Sequence, residues 1–369
     1  MGKQRDFLRI KVLVDLNIEK IKKEKNSSDI LGDIFYYAVF GEKISLEDLE
    51  RFKWYGIYAQ DENQEKFSLK IPFELGELDL NQLKTVLKLL KDYKNDSLFI
   101  EENQNIVLKD LKLSDLPNIF NILKSIDLTT FYTQGHNIRR VLTCPVNGVD
   151  ATQIYDVEDL AKKLNETFVG NKNFLNLPNS FKIAISGYLE GCDVGFTPDI
   201  SFNATLNEKL KVVFLLKVLD YEIGFVNISQ VIPSARAIAN IYKDFGQRDE
   251  NSSFEDFIDE FSINSFCDIF SSMIDFKAKE IIFKNHSFSK KPRFGLNKSK
   301  NENECFIGLR IKEKKISTDI FEKLVTLIEK YEVKRVKLTH KSNLIILDIP
   351  TKNALDLEKD LLDLKFVLE

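Results

Sequence analysis

The apolar positions of residues 67–109 return in the same order at residues 305–347, at a constant offset of 238 and without a gap. The first copy reads "FSLKIPFELGELDLNQLKTVLKLLKDYKNDSLFIEENQNIVLK" and the second "CFIGLRIKEKKISTDIFEKLVTLIEKYEVKRVKLTHKSNLIIL", so that Tyr93 falls on Tyr331 and Asn105 on Asn343. Each copy opens with a short alternating run, which predicts a strand. Apolar residues at helical spacing follow: Leu83, Val86, Leu87 and Leu90 in one copy, Phe321, Leu324, Val325 and Ile328 in the other. Two further strand-like runs close the unit. Asp79, and Ser317 or Thr318, stand where a helix start needs a side-chain acceptor for its open N–H groups. After Tyr93, "KNDS" supplies turn chemistry. A strand–helix–strand–strand unit leaves one apolar sheet face bare, so the two copies are expected to pair in space and cover each other.

Residues 131–290 carry a different, mixed pattern. "NSFKIAISGYLEGCD" and "LKVVFLLKVLDYEIGFV" read as strands ending in glycine turns, whereas "VEDLAKKLNETFV" and "SARAIANIYKDFGQR" have helical spacing. The polar, basic, turn-rich run around residues 291–304 reads as a surface linker ahead of the second copy at 305–369. Residues 1–60 are expected to form an N-terminal helical segment before the first copy at 61–130.

With 369 residues, 43% hydrophobic and 30% charged, the chain has room for two or three compact units of ordinary globular composition. A net charge of -4, from 53 basic against 57 acidic side chains, gives no overall attraction to nucleic acid or an anionic membrane. The N-terminal stretch lacks the unbroken apolar core of a signal peptide, which makes the cytoplasm the expected compartment. Cys144, Cys192, Cys267 and Cys305 form no tight pair and read as buried thiols; His136, His286 and His340 are too scattered to suggest a metal site. "GYLEGCDVG" lacks the glycine spacing of a dinucleotide site.

Several stretches follow one another in a recognisable order: "LERFKWYGIYAQ" with Trp54 and Gly56, the two repeats, "NIRRVLTCPVNGVD", "LPNSFKIAISG", "PDISF" and "ARAIANIYKDFGQRDEN". Together, over about residues 45–369, they resemble the sirohaem-dependent nitrite and sulfite reductases. The resemblance implies an α+β fold, with two ferredoxin-like half-domains (βαββ) pairing around an intervening α/β nitrite/sulfite reductase-type domain. It also implies a cradle of basic side chains for the substrate, because an oxyanion that loses its oxygens needs compensating positive charge and protons.

Arg139 and Lys182 match two positions of that cradle, Lys70 stands where the family has arginine, and Ser180 where it has lysine. Lysine keeps the attraction and loses the bidentate fork. The strand that grips the macrocycle's carboxylates, of the form Arg-x-x-x-Arg-Gln-x-x-Gln, maps onto "FIEENQNIV". There Gln104 matches, Phe99 and Asn103 replace the arginines, Val107 replaces the last glutamine, and Glu101 and Glu102 add negative charge. Each charge-assisted hydrogen bond lost to the macrocycle is worth about 1.5–3 kcal/mol. Arg140 and Asn343 complete the cofactor-side candidates.

The family's four-iron four-sulfur cluster is held by a Cys-x5-Cys and a later Cys-x3-Cys following the second half-domain, where this sequence ends at "LLDLKFVLE". The resulting expectation is a reductase-like subunit or fragment without cluster ligands. It would supply the anion-binding side of a sirohaem site for nitrite or sulfite, with a partner subunit carrying the cluster and a ferredoxin or flavoprotein donor. The alternative is a degenerate, non-catalytic member acting as a structural or interaction subunit. Without the resemblance, Arg139 and Arg140 read as a solvated basic helix end, and Lys182 as a solvent-facing residue of an alternating strand.

Overall fold

The computed structural model describes residues 17–188, 198–248, 252–274 and 293–368. Three helices lead in: α1 (Ile18–Glu24), α2 (Ile30–Phe40) and α3 (Leu46–Phe52), with Asn17 and Ser45 capping the first and third. A first module follows, made of β1 (Ile57–Ala59), β2 (Phe67–Pro72), β3 (Glu77–Asp79), α4 (Leu80–Asp92), β4 (Ser97–Ile100), β5 (Asn105–Leu111) and α5 (Leu116–Lys124). The middle of the chain forms β6 (Leu142–Thr143), α6 (Glu158–Phe168), β7 (Ile183–Ser186), β8 (Ile200–Leu206), β9 (Val212–Val218) and β10 (Tyr221–Asn227). Helices α7 (Val231–Phe245), α8 (Phe254–Phe261) and α9 (Ile263–Met273) complete it. The second module contains β11 (Gly295–Lys298), β12 (Glu304–Leu309), β13 (Lys315–Ser317), α10 (Thr318–Lys330), β14 (Arg335–Leu338), β15 (Leu344–Pro350) and α11 (Ala354–Asp363).

The repeat read from the apolar pattern is thus a structural repeat, and it extends to unusual backbone angles. Leu75, Gln104 and Asp110 have φ of 51°, 60° and 54°; Glu313, Ser342 and Asp348, at the same offset, have 53°, 59° and 52°. None of these residues is glycine, and a left-handed conformation costs them roughly 1–2 kcal/mol each. Their recurrence with unrelated side chains means that the strand and turn geometry of the unit imposes the conformation. Asp79 caps α4 in a reciprocal arrangement with Gln82, and Ser317 caps α10 by accepting from Ile320 N.

Each module lends a three-residue strand to the other. β3 pairs antiparallel with β14, matching Glu77 to Lys337 and Asp79 to Arg335, while β13 pairs with β4, matching Lys315 to Phe99 and Ser317 to Ser97. The two sheets therefore run β1-β2-β5-β4-β13 and β11-β12-β15-β14-β3. Helices α4 and α10 pack against each other, and one continuous apolar core spans both modules. Of the α4 residues expected inside, Leu83, Val86 and Leu90 are buried, but Leu89 takes the place of half-buried Leu87 because α4 also packs on α5. The middle segment forms its own mixed sheet, β10-β9-β8-β7-β6, parallel from β6 to β8 and antiparallel beyond, with a second core beneath α6–α9.

Two expectations differ from the structure. The stretch read as a linker at 291–304 contributes β11, an edge strand paired with β12, and the N-terminal segment includes β1, the corresponding edge strand of the first module. Edge strands bury few side chains, and β11 reads "GLNK", so the polar pattern of a loop concealed it. Residues 1–16, Cys192 and His286 lie outside the described residues.

Charges close the exchange. Lys337 is fully buried on β14, donating to Glu77 on β3 at 3.0 Å and to Thr143 Oγ1 on β6 at 3.1 Å. Arg335 meets Glu77 at 3.0 Å, Asp348, and Glu158 on α6 at 3.8 Å. Burial alone raises the Glu77 pKa, but Lys337 and Arg335 outweigh it and hold the carboxyl below its ordinary 4.5. Its stabilising contribution is therefore whole above pH 4.5 and disappears as the pH falls through the lowered value. Glu77→Ala, which strands the buried Lys337 charge, is expected to cost about 3 kcal/mol in urea unfolding at neutral pH. Lys84→Ala, which breaks the half-exposed Lys84–Glu329 pair, is expected to cost under about 1 kcal/mol. Equal costs for the two would contradict this assignment.

Candidate anion site

Backbone pairing sets the site before any side chain does. The chain at Ile138 runs parallel to Phe181; Arg139 N donates to Phe181 O at 2.8 Å and Phe181 N to Asn137 O at 3.0 Å. On the far side, Asp199 N donates to Lys182 O at 3.0 Å, and Lys182 N to Asp199 Oδ2 at 2.6 Å. Arg139, Lys182 and Asp199 thus stand on three neighbouring stretches of one sheet. Phe181 anchors the middle stretch edge-on to Phe254, ring centroids 5.0 Å apart, inside the core.

The loop 134–139 holds the Arg139 guanidinium. Nη1 donates to Gly135 O at 2.8 Å and Asn137 Oδ1 at 2.9 Å, and Nη2 to Gln134 Oε1 at 3.2 Å. All three acceptors are neutral, so the side chain is aimed without a carboxylate hydrogen-bonded to it. Burial lowers its pKa to about 10, against the opposing influence of Tyr58, Asp199 and Glu101, and it stays protonated at neutral pH. Asp199 is the converse case. Burial raises its carboxyl to about 6, although the Lys182 N–H and the charges of Lys182 and Arg139 favour ionisation.

Lys70 arrives from the first module, where β1 and β2 touch. Lys70 N donates to Gly56 O at 2.9 Å, and the approach is so close that a Cβ on Gly56, at φ +70°, would lie 2.7 Å from Lys70 O. Lys70 Nζ sits 4.7 Å from the centre of the Tyr58 ring and is ion-paired with Glu101. Glu101 and Tyr58 both act electrostatically on Arg139. Electrostatic influence thus runs from the Lys70–Glu101 pair to Arg139, and from Arg139 and Lys182 to Asp199, with Glu101 and Asp199 as the counter-charges. Tyr58 and Asp199 were not singled out by sequence reasoning; each is a single polar residue at a strand or strand edge, with no motif of its own. Ser180 donates its N–H to Asn179 Oδ1 and brings no charge.

The cofactor-side candidates are mostly engaged in the fold. Gln104 is buried, and its amide donates to Leu338 O of the second module at 2.8 Å. Asn343 Oδ1 accepts from Ile311 N at 2.8 Å, tying the β14–β15 turn to the end of β12. Phe99 lies beneath Lys109, whose Nζ is 3.7 Å from the ring centre, and Asn103 is half-exposed in the β4–β5 turn. Arg140 differs: its Nε is buried without a hydrogen-bond partner among the described residues. Burial lowers its pKa, opposed by Glu74. The negative charge expected from Glu101 and Glu102 is offset within the chain, because Lys70 takes the first and Lys314 the second at 2.6 Å.

Cys144 packs with Val146, Phe306 and Leu347, Cys305 lies in the modules' shared core, and Cys267 is half-buried on α9. Among the described residues no three His, Cys, Asp or Glu side chains converge as a metal site, and no helix is long and apolar enough to cross a membrane. His136 stacks on Trp54, ring centroids 6.0 Å apart; burial and the nearby Lys22 lower its pKa to about 4, so it is neutral at pH 7.

A family model described as the nitrite and sulphite reductase 4Fe-4S domain matches residues 134–273, and one described as the nitrite/sulfite reductase ferredoxin-like half domain matches residues 60–126 and 297–364. The chain is 27% identical over 352 residues to a ferredoxin–nitrite reductase of Synechococcus elongatus, covering 90% of this chain and 69% of the relative. It is 24% identical to an assimilatory ferredoxin-dependent nitrite reductase of Haloferax mediterranei, covering 91% of this chain and 65% of the relative. A sulfite reductase [ferredoxin] of Mycobacterium tuberculosis is 22% identical, with 65% of its length covered. The chain thus spans about two-thirds of these relatives. In fold, it matches the structure of the Mycobacterium tuberculosis NirA protein with a TM-score of 0.85 at 21% identity, over 96% of this chain and 70% of that one.

Gly135 couples the Arg139 loop to Trp54, the single tryptophan. A Cβ at Gly135, where φ is +91°, would lie 2.4 Å from the indole ring. Gly135→Ala is therefore expected to shift Trp54 fluorescence and to cost about 2 kcal/mol of stability through overpacking and backbone strain. Unchanged emission and stability would show that the loop does not rest on Trp54.

Proposed function

Because this chain belongs to the nitrite and sulphite reductase family, we propose that it is a reductase-like oxidoreductase subunit whose Arg139, Lys182 and Lys70 form the anion-binding side of the site. The observation that carries the reading is Arg139, whose hydrogen bonds all go to neutral acceptors and whose charge is left to meet an anion beside Lys182. Nitrite and sulfite are the anions proposed. Both accumulate negative charge and take up protons as their oxygens leave, and a fixed guanidinium and ammonium stabilise that charge without reorganisation. Asp199, with a pKa of about 6, can hold or release a proton there near neutral pH.

Sirohaem is the group the family resemblance implies, and the residues mapped to its grip do not suit it. Phe99 lies beneath Lys109, Gln104 is bound to Leu338 and Asn343 to Ile311, which leaves Arg140 as the one cofactor-side candidate with a buried, unpartnered donor among the described residues. The chain's own part is accordingly anion binding and proton supply. In this reading sirohaem and the four-iron four-sulfur cluster are held with a partner subunit, and electrons come from a ferredoxin, as the relatives' names suggest, or from a flavoprotein. A second reading, a non-catalytic structural subunit, is favoured by the Phe99–Lys109 contact at an arginine position. Stoichiometric sirohaem uptake by the purified chain would count against it.

Calorimetry with nitrite and sulfite tests the proposal. The protein is expected to bind both, and Arg139→Ala to weaken binding at least about tenfold. Affinity at fixed ligand charge is expected to rise as pH falls through 6, because protonating Asp199 removes a negative charge from the site. Binding that is absent, or indifferent to Arg139, would sink the proposal.

A further inference from the structure

Lys70 and Arg139 are held differently. Arg139 donates only to neutral groups, whereas the Lys70 ammonium is paired with a carboxylate of its own module, Glu101. The pair is well shielded, Lys70 being 16% and Glu101 28% exposed. Glu101 is also held on its backbone and its second oxygen: Asn105 Nδ2 donates to Oε2 at 3.2 Å, Glu101 N donates to Asn105 O at 2.9 Å, and Gln104 N to Glu101 O at 3.1 Å. Gln104 closes this turn at φ 60°, and its buried amide is tied to Leu338 across the modules, so the turn is anchored at a distance from the charge itself. The adjacent Glu102 turns away to Lys314. Glu101 is thus a fixed negative charge inside the cationic neighbourhood, felt by Arg139 as well as by Lys70.

Resting on the anion-site reading above, we infer that Glu101 is a resident counter-anion that sets the site's selectivity by charge, favouring monoanions over dianions. An incoming anion competes with Glu101 for Lys70 and is repelled by it. The repulsion scales with the ligand's charge, so a dianion suffers about twice the penalty of a monoanion in free energy. Nitrite is a monoanion throughout the neutral range, whereas sulfite is largely a dianion in mildly alkaline solution. Glu101 accordingly discriminates against sulfite and in favour of nitrite without touching either.

Glu101→Gln keeps the shape and an acceptor for Asn105 while removing the charge. Titrating the wild type, Glu101→Gln, Glu102→Gln and Arg139→Ala with sodium nitrite and sodium sulfite in mildly alkaline buffer, by calorimetry, separates the cases. Glu101→Gln is expected to bind nitrite about tenfold more tightly and sulfite about a hundredfold more tightly, the square of the first factor, while Glu102→Gln changes neither by more than about twofold. Equal tightening for the two anions, or none, overturns the inference, even if Arg139→Ala abolishes binding and so upholds the anion site. If none of the four proteins binds either anion, the site and the inference fall together.

Discussion

Two three-residue strands, β3 and β13, hold this molecule's parts in register, because each completes a sheet built by the other module. The exchange is made of backbone hydrogen bonds, and Lys337, Arg335 and Glu77 pin it at one end. Partners 258 residues apart in sequence must meet, at an entropic cost that grows only slowly with the length of the loop between them. What it does demand is an intervening segment whose ends return to the same place. The mixed sheet of the middle segment meets that demand, and Lys337 reaches into it through Thr143 on β6 while Arg335 approaches Glu158 on α6.

That arrangement explains why the charged neighbourhood is assembled from distant parts of the chain. Lys70 and Tyr58 come with the paired strands β2 and β1 of the first module, Arg139 with the loop seated on Trp54, and Lys182 and Asp199 with the parallel register of the central sheet. None of these elements could be shifted by a residue without turning a side chain to the opposite face. Burial then tunes the groups in opposite directions, lowering Arg139 to about 10 and raising Asp199 to about 6. At neutral pH Arg139 therefore stays protonated, whereas the Asp199 carboxyl lies close to its titration point.

The repeat was legible because a helix of four buried apolar residues leaves a periodic signature, and Phe321, Leu324, Val325 and Ile328 all lie inside as that signature required. The strand exchange was not, since "ELD" and "KIS" are too short to carry a pattern and their partners lie hundreds of residues away. β11 was concealed by the polar face of an edge strand. The family resemblance singled out Arg139, Lys182 and Lys70 as candidates, but the sequence could not tell that Glu101 turns onto Lys70 while Glu102 turns onto Lys314. Adjacent identical residues look alike until the turn is built. Gln104 and Asn343, likewise, match or align with cofactor positions and serve the fold, because a carboxamide caps a turn as readily as it meets a macrocycle.

Whether these parts converge on an anion is open to direct observation. Selenite has the pyramidal shape of sulfite and an anomalous X-ray signal, so a crystal of the protein soaked in it would locate the bound anion without reference to any activity. The account requires an anomalous peak between the Arg139 guanidinium and the Lys182 and Lys70 ammonium groups. A peak confined to other basic patches, with this position empty in a crystal where it is open to solvent, would contradict it.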